Sequence, residues 1–227
     1  KSLDAVDHYH RYPEDLALMQ SVGLNSYRFT VEWARIQPEK DVFNDLELQH
    51  YEDVIRSCID HGIEPIITLH HFSSPKWLIQ EGGWESESTI EYFKRYVDKV
   101  ITRLGSKLNY VCTINEANMG LQLTRIIKER STPKDGDVQV GINTDFMKNM
   151  HLYMAELGQA FGVDPRQVNT FLSSRTPEGD MLIIKAHQAA KAIIKKHFPH
   201  IQVGITLSLH DFQAQDQSKQ TLEHVQT

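Results

Sequence analysis

Apolar positions along the first half of the chain switch between two periods, and each switch marks an element. From Pro13 onward, Leu16, Met19 and Val22 recur at helical spacing. Pro13 suits a first helical position, and Glu14 and Asp15 suit the positive end of the helix dipole. Gly23 supplies the stop, and the period drops to two over residues 26–31, predicting a strand. A second helix is predicted to open at Asn44, with Glu47 three residues later as in a capping box. Leu48, Tyr51, Ile55 and Cys58 form its stripe, Gly62 ends it, and a strand over 65–70 follows. The third unit has Ile90, Phe93, Val97, Val100 and Leu104 on one helix face, then Gly105, then a strand over 110–115. A fourth helix is predicted near 180–198, with Ile183, His187, Ala190 and Ile194 on one side and Pro199 as breaker. A strand over 203–209 ends the series.

The glycines at 23, 62 and 105 recur about every forty residues, the scale of one supersecondary unit. Strands alternating with helices imply parallel pairing with right-handed crossovers, as in a doubly wound open sheet or a (β/α)8 barrel. The open sheet would gain from a Gly-rich phosphate loop, but neither G-x-G-x-x-G nor G-x-x-x-x-G-K-[ST] occurs. The barrel gains from the polar and aromatic residues His70-His71-Phe72 and Asn115-Glu116, which stand where strands end. A whole barrel needs about 250 residues, and only the second to fifth β/α units are recognisable. The fold expected is therefore α/β, a partial (β/α)8 TIM barrel forming one incomplete domain over 1–227. Residues 125–180 break the rhythm and read as an elaborated loop at the strand-end face. They hold turn-like stretches at 133–137 and 175–179 and a short inserted helix around Phe146, Met150, Tyr153 and Met154. The polar tail from Gln213 reads as a fifth helix cut short.

Composition narrows the function. With 40% hydrophobic and 24% charged residues the chain is an ordinary globular one, not a disordered one. No apolar run of about 18 residues is present, so no membrane-spanning helix is expected. A net charge of −6 disfavours nucleic acid as a partner. Cys58 and Cys112 lie in apolar periodic segments and read as buried thiols rather than a disulfide framework. Lys1-Ser2-Leu3-Asp4 is not followed by an apolar signal-peptide region, and the expected location is cytoplasmic.

Glu116 is the focal residue, because its carboxylate projects from the end of a half-apolar strand. A carboxyl group desolvated by a barrel wall holds its proton to higher pH and can donate it to a leaving oxygen. A capping or solvent-facing glutamate would look the same in sequence. Asn115 beside it can bond a substrate hydroxyl. His70 and His71 point to opposite faces of an extended segment, so they do not share a metal ion, and a rim or core histidine is the plain alternative. Arg28 sits in a strand between Tyr27 and Phe29, and an inward arginine calls for a carboxylate neighbour, catalytic or merely structural. Trp33, Trp77 and Trp84 lie just past strand ends, as sugar platforms or as packing under loops.

With these residues in place, the chain resembles glycoside hydrolase family 1, the β-glucosidase and β-galactosidase family. The likeness runs through His8-Tyr9-His10-Arg11-Tyr12-Pro13-Glu14-Asp15, Tyr27-Arg28-Phe29-Thr30-Val31-Glu32-Trp33, Thr68-Leu69-His70-His71-Phe72, Gly82-Gly83-Trp84 and Thr113-Ile114-Asn115-Glu116. It weakens over 120–180. The resemblance implies a (β/α)8 barrel that hydrolyses β-linked saccharides or aryl glycosides with retention and without a cofactor or metal. It implies Glu116 as acid/base, Asn115 at the sugar 2-hydroxyl, His71 at the glycone and Arg28 beside the nucleophile. Ala117 stands where the family usually has proline, and Phe72 where tryptophan is common. The chain contains no Glu-Asn-Gly, the family's nucleophile motif. The expectation is thus the N-terminal portion of a retaining β-glycosidase, inactive alone and needing the remaining barrel strands from a longer chain or another subunit. The alternative is a non-catalytic carbohydrate-binding or interaction protein built on a degenerate barrel fragment.

Overall fold

The computed structural model of the chain describes residues 6–131 and 143–209, with side chains described outside 126–150. Strands β1 (Ser26–Thr30), β2 (Glu64–His70), β3 (Tyr110–Ile114) and β4 (Gln202–Gly204) form one four-stranded parallel sheet in chain order. An order that never reverses belongs to a barrel wall, since a doubly wound sheet reverses at a switch point. The register places Arg28, Ile66, Tyr110 and Gln202 in one row, and Thr30, Thr68, Cys112 and Gly204 in another.

The helices are α1 (His8–Ser21), α2 (Trp33–Ile36), α3 (Asp45–Asp60), α4 (Lys76–Gln80), α5 (Ser88–Leu104), α6 (Met119–Ser131), α7 (Asn143–Phe161) and α8 (Pro177–His197). Asn44 caps α3 as its sequence predicts, its Oδ1 accepting the Leu46 and Glu47 N–H groups at 3.0 and 3.3 Å. The capping box is left open, because Glu47 instead accepts the Tyr9 hydroxyl at 3.1 Å. Thr176 caps α8 through the Gly179 N–H at 3.0 Å, with Pro177 at the first helical position. The turn-like stretch at 175–179 is thus a helix start.

Several boundaries differ from the periodicity. Pro13 lies inside α1, which begins at His8. The added residues are held by tertiary contacts: His8 bonds Asp15 at 2.6 Å and the Tyr27 hydroxyl at 3.1 Å, and Tyr9 stacks on His50. Gly23 and Gly62 have φ of 79° and 69°, as helix stops in the left-handed region should. Gly105 does not. Its φ is −61°, and an added Cβ would overlap the Phe198 ring, so close packing explains that glycine. The regular pairing of β4 ends at Gly204, although Thr206 still donates to the Ile114 carbonyl at 3.1 Å. The inserted helix, α7, is 19 residues long rather than short. The stretch 133–137 and the tail from Gln213 lie outside the described residues.

The core lies between the sheet and its helices. Ile67 and Val111 meet Phe93, Tyr96, Val97 and Val100 of α5 and Ile183, Ala190 and Ile194 of α8. Burial of each such side chain contributes about 1.5–3 kcal/mol. The Tyr96 hydroxyl donates to the Val31 and Leu69 carbonyls at 2.8 and 3.0 Å, tying α5 to two strand ends. Trp33, Trp77 and Trp84 are all buried in this core, so packing explains them better than a sugar platform. Leu16, Val54, Cys58 and Ile63 form a smaller cluster under α1. Among the described residues no helix is long and apolar enough to cross a membrane.

Candidate active site

Strict alternation would carry inward-facing positions from Thr68 to His70 and from Cys112 to Ile114. The chain turns over instead at both strand ends. Ile114 joins the helix-side core, and Asn115 takes the inward place. His70 is buried among Trp33, Trp84 and Phe171, and His71 takes the inward place beside Thr30. The opposite orientations expected of the two histidines are observed.

Three of the residues singled out in the sequence are joined through one hydroxyl. Arg28 Nη2 donates to Asn115 Oδ1 at 3.0 Å, and its Nη1 approaches Cys112 Sγ at 3.9 Å. The Thr206 hydroxyl donates to the same Asn115 Oδ1 at 3.1 Å and accepts the Glu116 N–H at 3.0 Å. Asn115 Oδ1 is thereby occupied by two donors, and among the described residues no acceptor meets its Nδ2 group. The fourth residue, His71, shares a proton with Thr30 Oγ1 at 3.3 Å. Burial and the nearby Arg28 charge lower the His71 pKa, against the opposing pull of Glu116 and Glu32. His71, Asn115 and Glu116 therefore stand at the carboxyl ends of β2 and β3, and Arg28 reaches Asn115 from mid-β1.

Glu116 has φ of 45°, a left-handed conformation that costs a residue with a Cβ about 1–3 kcal/mol. Bonds on both sides hold it there. Its own N–H meets Thr206 Oγ1, its carbonyl accepts the Met119 N–H at 2.9 Å, and the Ala117 N–H donates to the Thr206 carbonyl at 3.0 Å. Arg28 is exposed and has no ion pair among the described residues, so the carboxylate neighbour expected for it is not among them. Below the rim, Arg28, Ile66, Tyr110, Cys112 and Thr206 border an open concavity of about 350 Å³. Among the described residues no three His, Cys, Asp or Glu side chains come together to hold a metal ion.

The model of the family described as "Glycosyl hydrolase family 1" matches residues 3–226. The chain belongs to this family. It is similar to the aryl-phospho-β-D-glucosidase BglC of Bacillus subtilis, with 44% identity over 116 residues, covering 50% of this chain and 24% of that protein. A β-glucosidase of Agrobacterium sp. is 32% identical over 194 residues, covering 83% of this chain and 38% of its own. The crystal structure of the β-glycosidase BGL167 superimposes with a TM-score of 0.76 at 40% identity, covering 89% of this chain and 46% of that one. The family 1 chain thus spans less than half the length of these relatives, and its four-stranded wall is part of a (β/α)8 barrel.

The family likeness puts the two departures in a physical light. Ala117 has an N–H, and the bond it gives to the Thr206 carbonyl is one that proline could not make. Phe72 has φ of 69°, stacks on Phe171 and meets the His71 ring edge-on. Sequence reasoning passed over Thr206, which bonds both Asn115 and Glu116 yet lies just past β4 in a stretch with no motif of its own. It also passed over Arg175, placed in a segment that reads as loop.

Proposed function

We propose that this chain carries the acid/base half of a retaining β-glycosidase site acting on β-linked glucosides, aryl glucosides included. The observation that carries the reading is the Arg28–Asn115–Thr206–Glu116 chain of hydrogen bonds at the carboxyl ends of parallel strands. In the first step the Glu116 carboxyl gives its proton to the glycosidic oxygen while a second carboxylate attacks the anomeric carbon, and the aglycone leaves as an alcohol. In the second step Glu116, now a carboxylate, takes a proton from water. The water oxygen bonds to the anomeric carbon, and the second carboxylate is released.

Asn115 is suited to the sugar 2-hydroxyl, because its Oδ1 is already filled and its Nδ2 is left to donate. His71 contacts the glycone from the neighbouring strand. The exposed Arg28 guanidinium faces the concavity and supplies the counter-charge beside the second carboxylate, which must lie about 5–5.5 Å from Glu116. That carboxylate comes from barrel strands outside these 227 residues.

The test is to assay the 227-residue chain on an aryl β-glucoside, alone and with the remaining barrel strands supplied. Turnover is expected only with those strands present and is lost in Glu116→Gln. Robust turnover by the chain alone, abolished by Glu116→Gln, would put the second carboxylate within the chain and overturn the half-site. Sugar binding without turnover, even with the strands supplied, would favour a binding protein.

A further inference from the structure

Arg175 is among the few charged side chains buried in the described structure, and none of its contacts serves the outer surface. Its side chain is 1% exposed. Nη2 donates to the Ala117 carbonyl at 2.8 Å, Nη1 to the Phe171 carbonyl at 2.7 Å, and Nε to Asp180 Oδ1 at 2.9 Å. The guanidinium also lies over the Phe171 ring, whose ring neighbours are His70, Phe72 and Trp84. One side chain thus ties the turn after Glu116 to the first turn of α8 and to the aromatic cap over β2. Room for it is left by Gly120, where an added Cβ would overlap the guanidinium.

The turn so held is the one containing the left-handed Glu116. A residue in that conformation stays there only while its surroundings over-determine it. Thr206 restrains the turn through the Glu116 and Ala117 N–H groups, and Arg175 restrains it from the opposite side through the Ala117 carbonyl. Without the guanidinium, a buried carbonyl loses its donor and Asp180 its cation, and the turn is free to relax toward ordinary backbone angles. The Glu116 carboxyl would then swing away from the glycosidic oxygen.

We infer that Arg175 is a positioning residue that aims the Glu116 carboxyl by clamping the Ala117 carbonyl, an inference that rests on Glu116 being the acid/base. It touches no substrate and acts only through the turn. Misplacing a proton donor by about 1 Å costs on the order of 100-fold in the step that needs it. The loss falls on poor leaving groups, which need protonation, and spares activated ones.

The test compares an alkyl β-glucoside with a dinitrophenyl β-glucoside in the active assembly of this chain. Arg175→Met is expected to lower alkyl glucoside turnover by roughly 100-fold while changing the first step on the dinitrophenyl substrate by less than about 3-fold. Arg175→Lys should recover part of the alkyl activity. Gly120→Ala, which crowds the guanidinium from the helix side, should give the same selective loss in milder form and serves if Arg175→Met does not fold. A merely structural role would lower both substrates by one common factor in all three variants, and that result would overturn the inference. Glu116→Ala is the control. If it shows the leaving-group difference and the Arg175 and Gly120 variants do not, the clamp alone is wrong. If Glu116→Ala itself loses both substrates equally, the acid/base reading fails first.

Discussion

The two faces of the sheet contain neighbouring residues of the same strands and are built on opposite terms. Toward the helices, Ile67, Leu69 and Val111 are buried under α5 and α8; the Tyr96 hydroxyl there is paired to two carbonyls, while His70 Nδ1 is buried with no hydrogen-bond partner among the described residues. Toward the concavity stand Arg28, Tyr110 and Thr206, half-buried or exposed, with hydrogen-bonding groups still open. The first face stores stability, and the second is the one proposed to carry chemistry. Along the strands alternation separates them, so a change on one should leave the other's property largely intact, except where Arg175 links the buried side to the turn after Glu116.

The largest effect belongs to the helix side. Trp84 is fully buried against His70, Phe93 and Phe171, so Trp84→Ala should lower the unfolding free energy by about 3–5 kcal/mol, read by urea denaturation. A loss below about 1 kcal/mol would mean that this layer is loosely packed.

Arg28→Ala should do the reverse. Rates on good and poor leaving groups alike should fall by about 100-fold or more in the active assembly, because the counter-charge to the second carboxylate is gone. Unfolding free energy should move by only about 1 kcal/mol, since Arg28 is exposed and Asn115 Oδ1 keeps the Thr206 hydroxyl as a donor. A large stability loss with little kinetic change would erase the distinction between the faces.

The histidine pair sharpens it through pH. Burial pushes His70 down to about 3 from its ordinary 6.5. Between those values the unfolded chain takes up a proton that the folded chain refuses. Stability present above pH 6.5 is therefore lost as pH falls toward 3, by at most about 1.4 kcal/mol per pH unit. His70→Asn should flatten the stability profile between about pH 4.5 and 6.5. His71→Asn should change it far less, because His71 is only partly buried. Equal slopes in the two variants would contradict the orientation assigned to each ring.

The smallest effect separates the two cysteines. Cys58 lies in the dry cluster under α1, and burial pushes its thiol up to about 11. Cys58→Ser should cost about 1–3 kcal/mol, because it puts a hydroxyl among Leu16, Val54 and Ile63. Cys112 is also buried, but its Sγ donates to the Ile114 carbonyl at 3.5 Å and lies beside the Arg28 guanidinium, so a hydroxyl keeps partners there and Cys112→Ser should cost less, about 0.5–1 kcal/mol.

Much of this contrast was legible in the sequence, and the places where it was not have physical causes. Hydrophobic period located each strand and the stripes of α3, α5 and α8, because local pattern and tertiary burial agree in those elements. The start of α1 was missed because His8 and Tyr9 are fixed by partners in β1 and α3, which no local rule sees. Gly105 mimicked a helix stop while serving the close approach of Phe198. The candidate site was half legible. Arg28, His71, Asn115 and Glu116 announce themselves as polar residues in or just past apolar strands. Thr206 and Arg175 reach the same turn from 90 and 58 residues away, so no spacing rule connects them to it.

The most direct test of the concave face as a catalytic one is the leaving-group dependence of Glu116→Ala in the active assembly. Protonation is most of the barrier for a poor leaving group and little of it for a good one. Turnover of an alkyl β-glucoside should fall by roughly 100-fold or more. Formation of the glycosyl-enzyme from a dinitrophenyl glucoside should be nearly unchanged, and added azide should restore turnover of that substrate by replacing the water that Glu116 no longer deprotonates. An equal loss on both substrates, with no response to azide, would show that Glu116 is not the proton donor and that the polar face of the sheet serves another end.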